Sequence, residues 1–253
     1  MRISKIRPYI LSVSVFTVCL IASWLIPAIF MMDNLSNSNE INLSEFEIFL
    51  NVMGSHCNYL SYNRIMVLYL PVFIFVLNRY SFSDKPMYIV RLNSRTAYVK
   101  RYIFDVLKFA LIFAVLIEMI NIIFSFIFFG AKLTIKSGLL MYSVYDFVTE
   151  ALFYIRAGVL LLIVKTLVNR KIAPFITFGI YFLEYFPAEI LPFLYYIWLP
   201  YKDSVQVTGL IIGEIQPADT VLIMIRGIAI NIALIVLSYY LFLRKDMLSH
   251  EKR

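Results

Sequence analysis

"VRLNSRTAYVKRYIFDVLKFALIFAVLIEMINIIFSFIFF", Val90 to Phe129, decides the fold of this chain. Four cationic side chains, Arg91, Arg95, Lys100 and Arg101, fall in its first thirteen residues. It then runs, with neither glycine nor proline, through an apolar stretch to Phe129. From a start signal at Ser94, the thirty-five residues Arg95 to Phe129 make a helix about 52 Å long, several turns more than the roughly 30 Å hydrocarbon core of a bilayer. Such a helix crosses a membrane and projects beyond it on its basic side.

The rest of the chain agrees. Of its 253 residues 61% are hydrophobic and 15% charged, against roughly 25% charged in soluble domains, and mean hydropathy is +0.81. The expected fold is an all-α integral membrane protein, a single six-span domain over residues 1–253, with spans near 9–32, 61–77, 103–129, 147–168, 172–186 and 221–243. The first run follows Arg2, Lys5 and Arg7 but is too long for a secretory h-region and lacks a small-x-small cleavage site, so it is expected to stay in the mature chain.

Orientation follows from Lys and Arg, which cytoplasmic loops keep. With the N-terminus inside, the inner segments hold three (Arg2, Lys5, Arg7), six (Arg79, Lys85, Arg91, Arg95, Lys100, Arg101), three (Lys165, Arg170, Lys171) and four (Arg244, Lys245, Lys252, Arg253), sixteen in all. The outer loops hold Lys132, Lys136 and Lys202. Losing or adding one span would reverse this polarity beyond that point, so both termini are expected in the cytoplasm. The net charge of +7 is then an orientation signal facing anionic headgroups and calls for no nucleic acid.

Three loops carry local signals. In the outer loop 33–60, Ser44 and Glu47 stand at capping-box spacing ahead of Phe49, Leu50 and Met53, which predicts a short interfacial helix. Past the fifth span, Pro187, Pro192 and Pro200 among Phe193, Tyr195, Tyr196, Trp198 and Tyr201 predict a break near Pro187 and a re-entrant or interfacial element between spans five and six. In the cytoplasmic loop 79–102, Ser83 can cap a short helix to about Leu92, with Pro86 tolerated in its first turn and Met87, Ile89, Val90 and Leu92 as its apolar residues. On its own this loop reads equally well as positive-inside charge in contact with lipid.

A short amphipathic helix, a basic elbow and a projecting third helix together resemble the integral-membrane permease of a type-2 ATP-binding-cassette (ABC) transporter, in particular the small permeases of Gram-positive bacteria. Those carry a basic segment of the style R-x-x-S-R-x-x-Y/W after the second span, here Arg91, Ser94, Arg95 and Tyr98. The resemblance implies that Met87, Ile89, Val90, Arg91, Leu92, Ser94 and Arg95 belong to a coupling helix docking on a separate ABC ATPase. It also implies a homodimer or a heterodimer with a related permease, and export of an amphiphile such as a peptide, a lipid-linked product or an antibiotic across a bacterial cell membrane. ATP and magnesium would sit on the partner, and this chain would bind no cofactor of its own. A receptor or immunity protein binding a peptide or lipid at its aromatic outer face is the alternative. The substrate-binding subunit of a vitamin importer is disfavoured, because the first span lacks an alanine-x-x-x-alanine docking pattern.

No enzyme is expected. The stretch nearest to a phosphate loop, "GAKLTIKS" from Gly130 to Ser137, has Ile135 in place of its second glycine and follows a membrane helix, not a strand. His56 beside Cys57 project apart on helix or strand and have no third residue to orient the imidazole. The other candidates are charges within spans, costly unless paired or hydrated. Glu118 shares a face with Asn121 and Ser125 at i, i+3 and i+7; Arg156 lies in the fourth span, Glu184 in the fifth and Arg226 in the sixth. Either Glu118 pairs with Arg156 or Arg226 to lock the bundle, or the stripe serves substrate passage. Gly227, Asn231 and Ser238 read as a packing seam.

Overall fold

A computed structural model describes residues 3–37, 44–54, 59–80, 95–190 and 207–244. Among them every regular element is helical: α1 (Ile3–Asn37), α2 (Glu45–Gly54), α3 (Tyr62–Arg64), a π-helical turn (Ile65–Tyr69), α4 (Leu70–Tyr80), α5 (Arg95–Lys136), α6 (Leu139–Leu167), α7 (Ala173–Ile190), α8 (Val207–Ile212) and α9 (Pro217–Arg244). Four helices, α1, α5, α6 and α9, are long and apolar enough to cross a membrane, while the apolar stretches Ile65–Arg79 and Ala173–Leu183 are shorter.

The solvent that this bundle expects is legible on α9. Its buried positions are Thr220, Gly227, Asn231, Ser238 and Phe242, one face at alternating spacings of seven and four. Its exposed positions include Leu222, Ile225, Ile228, Ile232 and Val236. A water-soluble helix shows the reverse pattern; apolar outside with small and polar inside is the pattern of a helix surrounded by lipid.

At the centre stands α6, which packs against α4, α5, α7, α8 and α9. Gly158 permits the closest approach: a Cβ there would lie 2.5 Å from Val106 Cγ1 and 3.0 Å from Leu77 Cδ2. Around this axis lie Phe16, Phe73, Phe113, Phe153 and Tyr154, all essentially without exposure. Phe16 stacks on Phe113 at 4.1 Å between centroids, and Phe73 meets Tyr154 at 4.9 Å.

Several boundaries differ from the sequence expectation. The third helix begins at Arg95 as expected but continues past Phe129 to Lys136, broken at Gly130, whose φ of 75° and ψ of 164° suit glycine alone. Thr134 Oγ1 lies 2.9 Å from the Gly130 carbonyl and 3.2 Å from that of Ser125, tying the added turns back across the break. The fourth helix starts at Leu139, after a left-handed Gly138 (φ 74°), and not near 147. Ser143 and Asp146, polar enough to suggest a loop, are inward-facing helical residues. The fifth helix does not break near Pro187 but runs on to Ile190; close to its end, proline withholds one N–H and leaves most of the ladder intact.

In the second apolar segment the helix widens into a π-turn, with Leu70 N–H bonded to the Ile65 carbonyl five residues back. Pro71 follows at once, and a ring that would crowd the carbonyl four residues before it is relieved by this wider turn. The capping box predicted at Ser44 is formed: Ser44 N–H donates to Glu47 Oε2 at 2.7 Å, and Glu47 N–H donates to Ser44 Oγ at 3.3 Å. The helix it opens is packed down, with Phe49, Val52 and Met53 fully buried and the Phe49 ring 5.2 Å from that of Phe129.

Outside the described residues lie His56 and Cys57, most of the cytoplasmic loop with Met87, Ile89, Val90, Arg91, Leu92 and Ser94, and the aromatic element after Ile190.

Candidate functional site

The polar stripe of α5 is buried along its length, with Glu118 5% exposed and Asn121 and Ser125 wholly covered. Two neighbours account for this. From α1, Trp24 seats its ring among Phe124, Phe128 and Phe129, at 5.3, 5.1 and 6.3 Å between centroids, and its Nε1–H donates to Asn121 Oδ1 at 3.3 Å. From the segment before α3, Tyr59 Oη donates to the Ile117 carbonyl at 2.8 Å, while its own carbonyl accepts from Tyr69 Oη at 3.0 Å. The backbone next to Glu118 is thus held from two sides.

Glu118 meets no cation among the described residues. It forms no ion pair with Arg156 or Arg226 among the described residues, and its polar neighbours are Ser143 and Asp146. What faces it is the acidic edge of α6. One oxygen each from Glu118, Asp146 and Glu150 lie within 4.8 Å of one another. The hairpin explains the register: Glu118 lies eleven residues before Phe129 and Glu150 eleven after Leu139, each roughly 16 Å, at 1.5 Å per residue, from the broken segment 130–138 that joins the two helices. Ser143, Asp146, Glu150 and Tyr154, at spacings of three and four, line the α6 face turned to α5, and all four are buried. Ser143 lies beside Glu118, and Tyr154 is a polar neighbour of Glu150.

Arg156 faces another way. It is 5% exposed, its guanidinium carbon lies 5.7 Å from the Phe153 ring centroid, and with Thr149, Leu152, Ile223 and Gly227 it lines a small cavity between α6 and α9. From Glu150 to Arg156 is six residues, about 240° around the helix, so acid cluster and cation occupy different faces. Arg226 is half-buried on α9, and Glu184 lies on α7. The expected pairing of Glu118 with either arginine is therefore not formed. The seam on α9 is: Asn231 Nδ2 donates to the Leu152 carbonyl at 3.0 Å, and a Cβ on Gly227 would lie 3.2 Å from Leu152 Cδ1.

The foot of α5 is anchored as firmly as its middle. Tyr98, in the basic segment, is buried and stacked on Phe242 of α9, 4.7 Å between centroids with 10° between planes. Lys165 Nζ lies 5.0 Å from the Tyr102 ring centroid. Lys100 and Arg101 stay exposed.

Asp146 and Glu150 escaped the sequence reading, although their signal is present: two acids at i and i+4, with Ser143 and Tyr154 on the same stripe. Compared with protein-family models, curated proteins and solved structures, the chain matches none.

Proposed function

We propose that this chain is the permease subunit of an ABC exporter, a six-span, multi-pass protein of the bacterial cell membrane with both termini in the cytoplasm. It works as a dimer, with a second copy or a related permease. A separate ATPase binds ATP and magnesium and drives an amphiphilic substrate, such as a peptide, a lipid-linked product or an antibiotic, outward. The observation that supports this reading is the foot of α5. From Arg95 to Phe129 the helix has no break, and its first turns are pinned by Tyr98 to the end of α9 and by Tyr102 to the end of α6. Displacement of the basic elbow before Arg95 would pass as a rigid-body movement into the two helices that carry most of the buried polar groups. A lever of this kind suits a coupling element; a headgroup-binding loop needs none.

Docking in a protein groove requires shaped apolar contact and forked Arg hydrogen bonds, whereas lipid attraction requires only charge, at roughly 1 kcal/mol per cation. Met87→Asp and Leu92→Asp, and less strongly Arg91→Lys with Arg95→Lys, should abolish co-purification of an ATPase subunit and leave membrane insertion intact. A charge-preserving scramble of Lys85, Lys100 and Arg101 should be milder. Equal tolerance of all these changes, with the ATPase still bound, sinks the coupling reading. The topology has its own check: cysteines at Asn93 and Asn169 should be shielded from an impermeant thiol reagent in intact cells, and one at Ser38 should react.

A further inference from the structure

Glu118, Asp146 and Glu150 are oxygen donors from two facing helices, gathered within 4.8 Å in the interior of the bundle. Hard divalent cations bind oxygen at about 2.0–2.6 Å, so donors on opposite sides of one ion stand about 4–5 Å apart. One ion can therefore touch all three carboxylates. Acid clusters often form without a ligand, and a second observation sets this one apart. Tyr154, 1% exposed and next to Glu150 on this face, has a hydroxyl oxygen without a hydrogen-bond partner among the described residues, and Ser143, 3% exposed, lies within hydrogen-bonding reach of Glu118. Both oxygens of Glu150 are likewise without partners among the described residues. A buried polar group left unmatched is costly, and contacts of Glu118 with Ser143 and Asp146 leave Glu150 and Tyr154 still unmatched. The Glu150 oxygens and the Tyr154 hydroxyl, buried and facing the cluster, suit a positive centre between the carboxylates.

We propose that Glu118, Asp146 and Glu150, with the hydroxyls of Ser143 and Tyr154, form a site for one divalent cation of the hard, oxygen-preferring class inside the helix bundle. The donor set is all oxygen, with neither thiolate nor imidazole, which selects against zinc and copper. Calcium and manganese suit it better than magnesium, which sheds its water reluctantly and demands near-ideal octahedral geometry. A monovalent ion would leave more of the carboxylate charge uncompensated. A tethered ammonium group would need a passage for its carbon chain between side chains that are at most 5% exposed. Bound across α5 and α6, the ion joins the two helices at mid-height, well away from the basic foot. The proposal stands whether or not an ATPase docks there.

The chain supplies its own reporter. Trp24 is hydrogen-bonded to Asn121, one turn along α5 from Glu118, and Trp198 is the only other tryptophan of the sequence. Purified full-length protein carrying Trp198→Phe is stripped with chelator and titrated with manganese, with loss of the free-ion paramagnetic signal and Trp24 fluorescence followed together. Expected are one ion bound per chain, quenching of Trp24 that saturates at the same stoichiometry, and reversal by calcium. Glu150→Gln should weaken binding at least about tenfold, and Ser143→Ala should weaken it less, with the fold preserved. Glu45→Gln, at an exposed position of α2, should change nothing. Should Glu150→Gln fail to fold, the stoichiometry, the quenching and Ser143→Ala still decide. No manganese bound at millimolar concentration overturns the proposal, as does binding without Trp24 quenching, binding unchanged in Ser143→Ala, or a response to sodium alone.

Discussion

Two long apolar helices, α6 and α9, lead opposite lives. In the most apolar window of α6 72% of residues are buried inside the bundle, in that of α9 17%. The buried helix is the more polar one: α6 hides Ser143, Asp146, Thr149, Glu150, Arg156, Lys165 and Thr166, and α9 only Thr220, Asn231 and Ser238. Burial here follows polar content. When the surroundings are lipid, no hydrophobic force sorts apolar side chains inward, and polar groups that would be stranded in hydrocarbon gather instead. The helix that collects them becomes the axis.

The sharpest way to break this comparison is one substitution made on both helices. A Cβ at Gly158 of α6 meets Val106 Cγ1 at 2.5 Å and Cγ2 at 2.9 Å. Valine is β-branched and nearly fixed in a helix, so α5 must give way. Gly158→Ala should lower stability by about 1–3 kcal/mol, read as a fall in melting temperature of the detergent-purified protein. Equal losses at Gly158 and Gly227 would show that α6 is no more tightly held than α9.

Next in size is a hydrogen bond by which α9 grips α6. Asn231→Ala removes the donor to the Leu152 carbonyl and should cost about 0.6 kcal/mol, the average for interhelical side-chain bonds in membranes. A loss of several kcal/mol would promote α9 from peripheral helix to keystone. Smaller again is Gly227→Ala, where the opposing atom, 3.2 Å away, is the end of a flexible Leu152 side chain; less than about 0.5 kcal/mol is expected. Because Asn231 and Gly227 both act on Leu152, the double mutant should depart from additivity, and a double-mutant cycle measures by how much.

The smallest effect lies outside the long helices and serves as their control. At the start of α2 the backbone N–H and then the hydroxyl of Ser44 hold the exposed Glu47 carboxyl below its usual value of 4.5. A carboxyl lowered by folding adds stability above its unfolded value and loses it as pH falls through the folded one. Hydrogen exchange in α2 should therefore quicken slightly below about pH 4.5 in the wild type, and Glu47→Gln should remove that dependence. A shift in the global melting midpoint would mean that α2 supports the whole bundle.

Much of this architecture was readable from residue order. The helix from Arg95 through Phe129 follows from a run without glycine or proline, the capping box from the Ser44 and Glu47 spacing, and the α9 seam from Gly227, Asn231 and Ser238. The stripe Glu118, Asn121, Ser125 was readable as a face, but its partners were not. Asp146 and Ser143 look like loop residues in a scan that equates spans with apolar runs, and so the fourth helix was expected to begin eight residues late.

What the sequence determined by itself is therefore local: where the long apolar helices run and which side chains share a face. These depend on the backbone and on neighbours within a turn or two. Only the tertiary structure decided that Glu118 meets Asp146 and Glu150 instead of an arginine, that Arg156 turns towards α9, and that Trp24 covers Asn121. Those pairings depend on the rotation and register of one helix against another. In lipid that choice is made by close approach, at Gly158 above all, and by the mutual attraction of polar groups that any of several faces could have supplied.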